Sequence, residues 1–172
     1  MSANAQSIKE LDAKHGFKEF TLGDDLSKWQ SDLLYNRTWD DNGISYVYTG
    51  SLGRKLFDFD IKDIELKFFQ NRLVEIYLTT KPFQPSFTLT GVYPKNGIDI
   101  YKNLISKFEN LFGNGFAFTS SASDKADFKT IWPGKTTSLI VQHDYLGFEY
   151  GSRAYIILKD NGFSIKSLKN GF

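Results

Sequence analysis

Ile64-Glu65-Leu66-Lys67-Phe68-Phe69-Gln70-Asn71-Arg72-Leu73-Val74-Glu75-Ile76 is the stretch that decides how this chain folds. Ile64, Leu66 and Phe68 alternate with Glu65 and Lys67, and Val74, Ile76 and Leu78 alternate with Glu75 and Tyr77. A period of two sends successive side chains to opposite faces, so each run predicts a half-buried strand. Gln70-Asn71 is the turn between them. Upstream, Ile44, Tyr46 and Tyr48 alternate in the same way, as do Phe57, Phe59 and Ile61, with Gly50-Ser51-Leu52-Gly53 as a connection. Asp40-Asp41-Asn42-Gly43 ends in Asn-Gly, a strong hairpin signal. The four runs predict an antiparallel meander with one wet face.

Around this meander the period lengthens to that of helices. Ser7 and Glu10 have capping-box spacing. Together with Ile8, Leu11 and a left-handed cap at Gly16, they predict a short helix over 8–15, with a brief extended piece over 17–22. Leu26, Trp29, Leu33 and Leu34 share one helical face, predicting a second helix from Asp24 or Asp25 to Tyr35. Asn96, with Asp99 at its third position, caps a third helix. Its stripe is Ile100, Leu104, Ile105, Phe108, Leu111 and Phe112, and Gly113 closes it.

Between these elements, residues 80–97 hold Pro82, Pro85 and Pro94 and read as a crossing connection with a short edge strand at 87–89. Residues 114–127 are rich in Ser, Ala and Gly and read as mobile, around a strand at 116–118. Strands resume at 128–132, 138–143 and 154–159, with Pro133-Gly134 as a type II turn. The tail, 163–172, carries the apolar pair Ile165 and Leu168. The whole, 1–172, is expected to be one α+β domain, an antiparallel sheet with helices packed on one face. A tandem helix-plus-meander arrangement, with halves 17–80 and 96–160, is a topological expectation without any residue-level repeat.

Composition narrows the function. Three Trp, nine Tyr and sixteen Phe in a chain of net charge +1 are the opposite of a disorder signature. The balance of 21 basic against 20 acidic residues leaves little field for phosphates, which disfavours a nucleic-acid partner. With no cysteine, disulfides, thiolate metal sites and a cysteine nucleophile are excluded. No apolar run has the length of a membrane span.

Catalytic and metal motifs are sparse. His15, at a predicted helix end, reads as a dipole-facing cap. His143 precedes Asp144, but neighbours on a strand face opposite ways and cannot form a base with its orienting acid. A calcium loop aligned on Asp40-Asp41-Asn42-Gly43 would place Thr38 and Thr49 where carboxylates belong. Asp58, Asp60, Asp63 and Glu65 form an acidic run that could hold a hard cation or act as a glycosidase pair; the plainer reading is a solvated face beside Lys55, Lys62 and Lys67. Gly50-Ser51-Leu52-Gly53-Arg54-Lys55 lacks phosphate-loop spacing. No catalytic residue, metal ligand or cofactor is assigned.

The aromatics exceed the needs of one core. Trp39, Tyr46, Tyr48, Tyr77, Trp132, Tyr145 and Tyr150, with Phe148, are the candidate binding residues, because Tyr and Trp bring large contact area at low entropy cost. Cross-strand pairing inside the sheet is the competing explanation.

The strand–turn–strand of 64–76, the Phe69-to-Leu73 hairpin within it, and Phe20-Thr21-Leu22-Gly23-Asp24-Asp25-Leu26 together resemble small exported α+β proteins of Bacteroidetes. More distantly they are similar to modules like the β-lactamase inhibitory protein and the outer-membrane assembly lipoprotein SmpA. Ala5-Gln6-Ser7-Ile8-Lys9-Glu10-Leu11-Asp12 resembles the mature start of such exported proteins, and Met1 to Gln6 shows no signal-peptide pattern. The resemblance implies a fold and a bias toward binding, with no functional residue carried over. Three readings follow. The first is a non-catalytic exported module, periplasmic or secreted, that binds a protein partner or acts like an inhibitor through an aromatic sheet face. The second is a glycan or small-molecule binder, and the third a hydrolase using Asp58, Asp60 or His143. A cytoplasmic location is the alternative to export.

Overall fold

The computed structural model describes residues 3–39, 43–82, 96–120, 127–147 and 151–163. Helix α1 spans Ala3–Lys14, and a small hairpin follows, β1 (Gly16–Phe17) with β2 (Phe20–Thr21). The strands of the main sheet are β3 (Leu33–Trp39), β4 (Gly43–Tyr48), β6 (Phe59–Phe69), β7 (Arg72–Thr80), β8 (Phe116–Ser120), β9 (Asp127–Pro133), β10 (Thr137–Gly147) and β11 (Gly151–Asp160). They lie in the order β3-β4-β6-β7-β11-β10-β9-β8, and the two-residue β5 (Lys55–Leu56) pairs with the start of β6. Every pairing is antiparallel. Helix α2 (Asn96–Phe112) rests on β10 and β11, and α1 touches α2 and β10. Strand dominates, so the fold is largely β with few helices.

The central ladder follows the alternation read from the sequence. Ile64 pairs with Leu78 and Leu66 with Ile76 across β6 and β7, and these continue into Ile156 and Leu158 on β11, then Val141 and Leu139 on β10. All eight are buried in one cluster with Leu104, Phe108 and Phe112 of α2. Two runs expected as separate strands, Phe57 to Ile61 and Ile64 to Phe68, merge into β6, and a register shift between Ile61 and Asp63 absorbs their change of phase. At the β6–β7 turn, Gln70 and Asn71 have φ of 49° and 64°, the left-handed pair that matches strand twist in a two-residue hairpin.

The helix expected over 24–35 is absent. Two single 3₁₀ turns, Leu26–Lys28 and Gln30–Asp32, take its place and lead into β3. The amides and carbonyls a helix would use are committed elsewhere. Gly23 N–H donates to the Leu73 carbonyl, Leu26 N–H to that of Asn71, and Leu73 N–H to that of Asp24. Trp29 is buried against Phe20 and Tyr48, and its indole N–H reaches the Asp24 carboxylate at 3.2 Å. Tertiary pairing overrides the local period. The first half of the expected tandem arrangement loses the helix it rested on.

Other expectations shift at element ends. Helix α1 starts before Ser7, which therefore is not its N-cap. His15, rather than Gly16, takes the left-handed position at the helix end, with φ of 42°. Gly113 (φ 75°) closes α2 as expected, and its N–H donates to the Glu109 carbonyl. Gly134 does not adopt the positive φ of a type II turn. Instead, a Cβ there would collide with the Asp12 carboxylate and the Thr137 carbonyl. The expected strand at 87–89, most of the crossing connection, Asp40 to Asn42 of the hairpin cluster and the tail beyond 163 lie outside the described residues.

Asp12 clamps the end of α1 to the turn before β10. Its carboxylate accepts the backbone N–H groups of Lys135, Thr136 and Thr137 at 2.8–2.9 Å and the Thr136 hydroxyl at 3.0 Å. The His15 imidazole Nδ1 adds a 2.6 Å hydrogen bond to Thr137 Oγ1. Burial alone would raise the Asp12 pKa; the hydrogen bonds from the Thr136, Lys135 and Thr137 amides and the Thr136 hydroxyl outweigh it and hold the carboxyl below its ordinary value.

Two outcomes follow. Asp12→Ala should cost about 1–2 kcal/mol in urea unfolding, the scale of charge-assisted hydrogen bonds that remain partly solvated. The wild-type excess over Asp12→Asn should be complete above the unfolded carboxylate value, about 3.9, and vanish as the pH falls through the lower folded value. A difference that stays constant from neutral pH to pH about 2 would contradict the clamp. Gln70→Gly should raise the melting temperature, because glycine holds a positive φ without the Cβ penalty, worth up to about 1 kcal/mol. A lower melting temperature would contradict that backbone geometry.

Candidate functional site

A cavity of about 490 Å³ opens between the helices and the sheet. Its floor is Leu139 of β10 with Ile156 and Leu158 of β11, the inward residues of the central ladder. One wall is α2, through Phe108, Leu111 and Phe112. The other is Leu11 of α1 with Phe17 of the β1–β2 hairpin, and Leu56 and Phe57 close the far side. Pockets of this size lined by apolar side chains take small ligands.

Each wall is fixed by interactions already described. The Asp12 clamp holds the end of α1, which sets Leu11 inward and leaves Lys14 as the last helical residue at the rim. Two hairpin turns frame the mouth, and each puts a non-glycine residue in the left-handed region, Lys18 at φ 50° and Phe57 at φ 53°. A bulky residue at positive φ is uncommon and costs free energy, so its surroundings must hold it. The Phe57 ring stands edge-on to Phe108 at 5.3 Å, and Lys107 lies over it at 5.5 Å. Leu111 is 40% exposed at the same mouth, a large apolar side chain facing water.

Among the described lining residues are three lysines, Lys14, Lys18 and Lys55, and no carboxylate. Lys55 lies 3.8 Å from Asp60. Among the described residues, Lys14 and Lys18 have no carboxylate within 4.0 Å. The Lys18 ammonium stands over the Phe17 ring at 5.8 Å.

The aromatic candidates are dispersed. Tyr48 is buried, packed edge-on with Phe20 and Trp29. Trp132 is also buried, where its indole N–H donates to the Gly113 carbonyl at 2.7 Å. Neither reaches a surface: Tyr48 fills the core beside Phe20 and Trp29, and Trp132 packs on Phe108 of α2 at 5.7 Å. Tyr46 is half-buried between Tyr35 and Phe68. Trp39 is half-buried against Phe163, at the far end from the cavity's floor residues in the sheet order. Tyr145 lies on β10 opposite Ser152, while Phe148 and Tyr150 fall outside the described residues.

Among the described candidates Tyr77 faces away from α2 in a charged neighbourhood, and sequence reasoning missed its partner. Tyr155 lies 5.4 Å from Tyr77, with Arg153 stacked on it at 4.9 Å, and Lys67 lies 5.2 Å from Tyr77. Lys67 and Lys159 both pair with Glu75, at 3.2 and 3.4 Å. This second face is not a bare aromatic platform. Ile140 and Ile157, paired across β10 and β11, are buried on it. Burial first, then the hydrogen bond to Asp144 at 3.0 Å and the charge of that carboxylate, push the Tyr155 phenol up to about 12.

The hydrolase residues do not assemble. His143 is buried on the core side, edge-on to Tyr101 and Phe128, whereas Asp144 bonds Arg153 and Tyr155 on the other face. Asp58 lies in the turn before β6 and is paired with Lys107 at 2.9 Å; that hydrogen bond, then the ammonium's charge, hold its carboxyl below the ordinary range. A general acid needs the opposite shift. Asp60 is shared by Lys55 and Lys81, Asp63 lies beside Lys62, and Glu65 meets Arg37. No group of three or more metal-ligating side chains occurs among the described residues.

No family model, curated protein or solved structure matches the chain. No helix among the described residues is long and apolar enough to cross a membrane. Asp144→Asn should bring the Tyr155 phenol down from about 12 toward its ordinary value, because it removes the acceptor's charge. NMR titration of ring-labelled tyrosine reads this directly, and an unmoved Tyr155 would refute the coupling.

Proposed function

We propose that this protein is a binding protein for an apolar small molecule, held in the cavity between the helices and the sheet. One observation carries the reading: an opening of about 490 Å³ floored by core residues and still reachable past an exposed leucine. A protein gains stability by closing such a space, since unfilled apolar volume forfeits packing. Keeping it open is the expected cost of holding a ligand. The reading belongs to the small-molecule class; the aromatic-face reading is weakened by the burial of Tyr48 and Trp132.

A protein partner is the second reading, moved from the sheet face to the sheet edges. Edge strand β3 exposes Leu34 and Tyr35, and edge strand β8 exposes Phe116 and Phe118. Unpaired edges bearing apolar side chains are templates for strand addition. Fractionation of the native host tests the exported location that goes with either reading.

Nile red, a neutral apolar dye, tests the cavity. Wild-type protein should bind it with a rise in fluorescence, and Leu111→Trp, which fills the mouth at an exposed position, should weaken binding about tenfold with the melting temperature unchanged. Equal binding by both proteins, or none by the wild type, would refute the cavity as the site.

A further inference from the structure

Resting on that reading, we infer that the ligand is a single-chain amphiphile with an anionic head, of which a fatty acid carboxylate is the simplest example. Its chain would lie on Leu139, Ile156 and Leu158, and its head would meet Lys14, Lys18 and Lys55.

The charge distribution carries this. The whole chain has a net charge of only +1, so three cations at one rim are not the overflow of a basic protein. They come from three separate elements: the end of α1, the β1–β2 turn and β5. Acidic residues are as frequent as basic ones in the chain, yet none is among the lining residues described. Elsewhere among the described residues several lysines have a carboxylate within 4.0 Å, Lys28 on Asp24, Lys67 and Lys159 on Glu75 and Lys107 on Asp58, whereas Lys9, Lys102, Lys129 and Lys135 have none. At this rim only Lys55 has such a contact, at 3.8 Å, and Asp60 shares it with Lys81 at 3.3 Å. A positive mouth over an apolar floor focuses field on an incoming anion and has no means of satisfying a cationic head.

Each part of the ligand has its own dependence. The chain is held by burial, so affinity should rise about fourfold for each added methylene until the floor is covered. The head is held by solvated ion pairs, so its share should be about tenfold in total and should shrink with salt. A neutral head of the same chain length therefore binds more weakly but still binds.

Calorimetry with full-length protein separates the two parts. Decanoate, laurate and myristate should bind with increasing affinity, dodecanol about tenfold more weakly than laurate, and dodecyltrimethylammonium more weakly still. In Lys14→Gln/Lys18→Gln/Lys55→Gln, laurate should fall to the level of dodecanol while dodecanol is unchanged. Equal affinities for laurate and dodecanol in the wild type, or laurate unaffected by the triple change, would overturn the anionic head and leave the apolar cavity standing. Failure of every chain, dodecanol included, together with Nile red, would overturn both. Vesicles of phosphatidylglycerol form the remaining arm: the protein should stay in the supernatant. Co-sedimentation without laurate binding would assign the lysines to a membrane surface and overturn the proposal.

Discussion

Alternation along four neighbouring strands is the constraint on which the rest of this molecule depends. Ile64, Leu66, Ile76, Leu78, Ile156, Leu158, Val141 and Leu139 all face one side because β6, β7, β11 and β10 hold one register. Each such side chain contributes roughly 1.5–3 kcal/mol on burial, and a slip of one residue would expose an entire strand's set at once. The left-handed turn at Gln70 and Asn71 and the bulge after Ile61 keep that register. Everything else is arranged around the surface these residues make. Helix α2 lies on its β10–β11 portion, and the cavity is the part of the same surface that no described side chain fills.

The polar interactions select which arrangement of that greasy surface is adopted. Asp12 fastens α1 to the turn before β10, and the backbone of residues 23–26 fastens onto the β6–β7 hairpin. Individually these bonds are modest, since each replaces a bond to water. Their weight lies in placement. They fix where α1 and the β1–β2 hairpin sit beside α2, and so set the opening that Lys14 and Lys18 border.

Much of the fold was legible in the sequence because it depended on local period. The strands around 64–78, 128–132, 138–143 and 154–159 and the helix ending at Gly113 carry their pattern within a few residues. The failures share a cause. Leu26, Trp29, Leu33 and Leu34 have helical spacing, but Trp29 is drawn into a cage made by Phe20 and Tyr48, and Asn71 and Leu73 take the nearby backbone groups. No short window of sequence around Trp29 contains Tyr48, Asn71 or Leu73. The candidate site fared worse for the same reason. Tyr48 and Trp132 looked like spare aromatics because the space they fill exists only once distant strands meet. The lysine-rimmed cavity draws on residues from Leu11 to Leu158. The one local trace was negative: neither Lys14-His15-Gly16-Phe17-Lys18 nor Lys55-Leu56-Phe57 belongs to any catalytic motif, and both mix cations with apolar residues.

The span of the Asp12 contacts has a consequence for the order of assembly. The carboxylate and the amides it holds are separated by 123 to 125 positions. On the ribosome, α1 therefore emerges long before the turn that receives it, and must wait while the sheet strands up to β9 are made. Such long-range closure is slow and leaves the amphipathic helix exposed in the meantime. A nascent chain halted before Lys135 would hold a meander without its clasp. The cavity is thus completed only after Leu139, Ile156 and Leu158 of its floor are made, although Leu11 and Phe17 of its wall precede them in the chain.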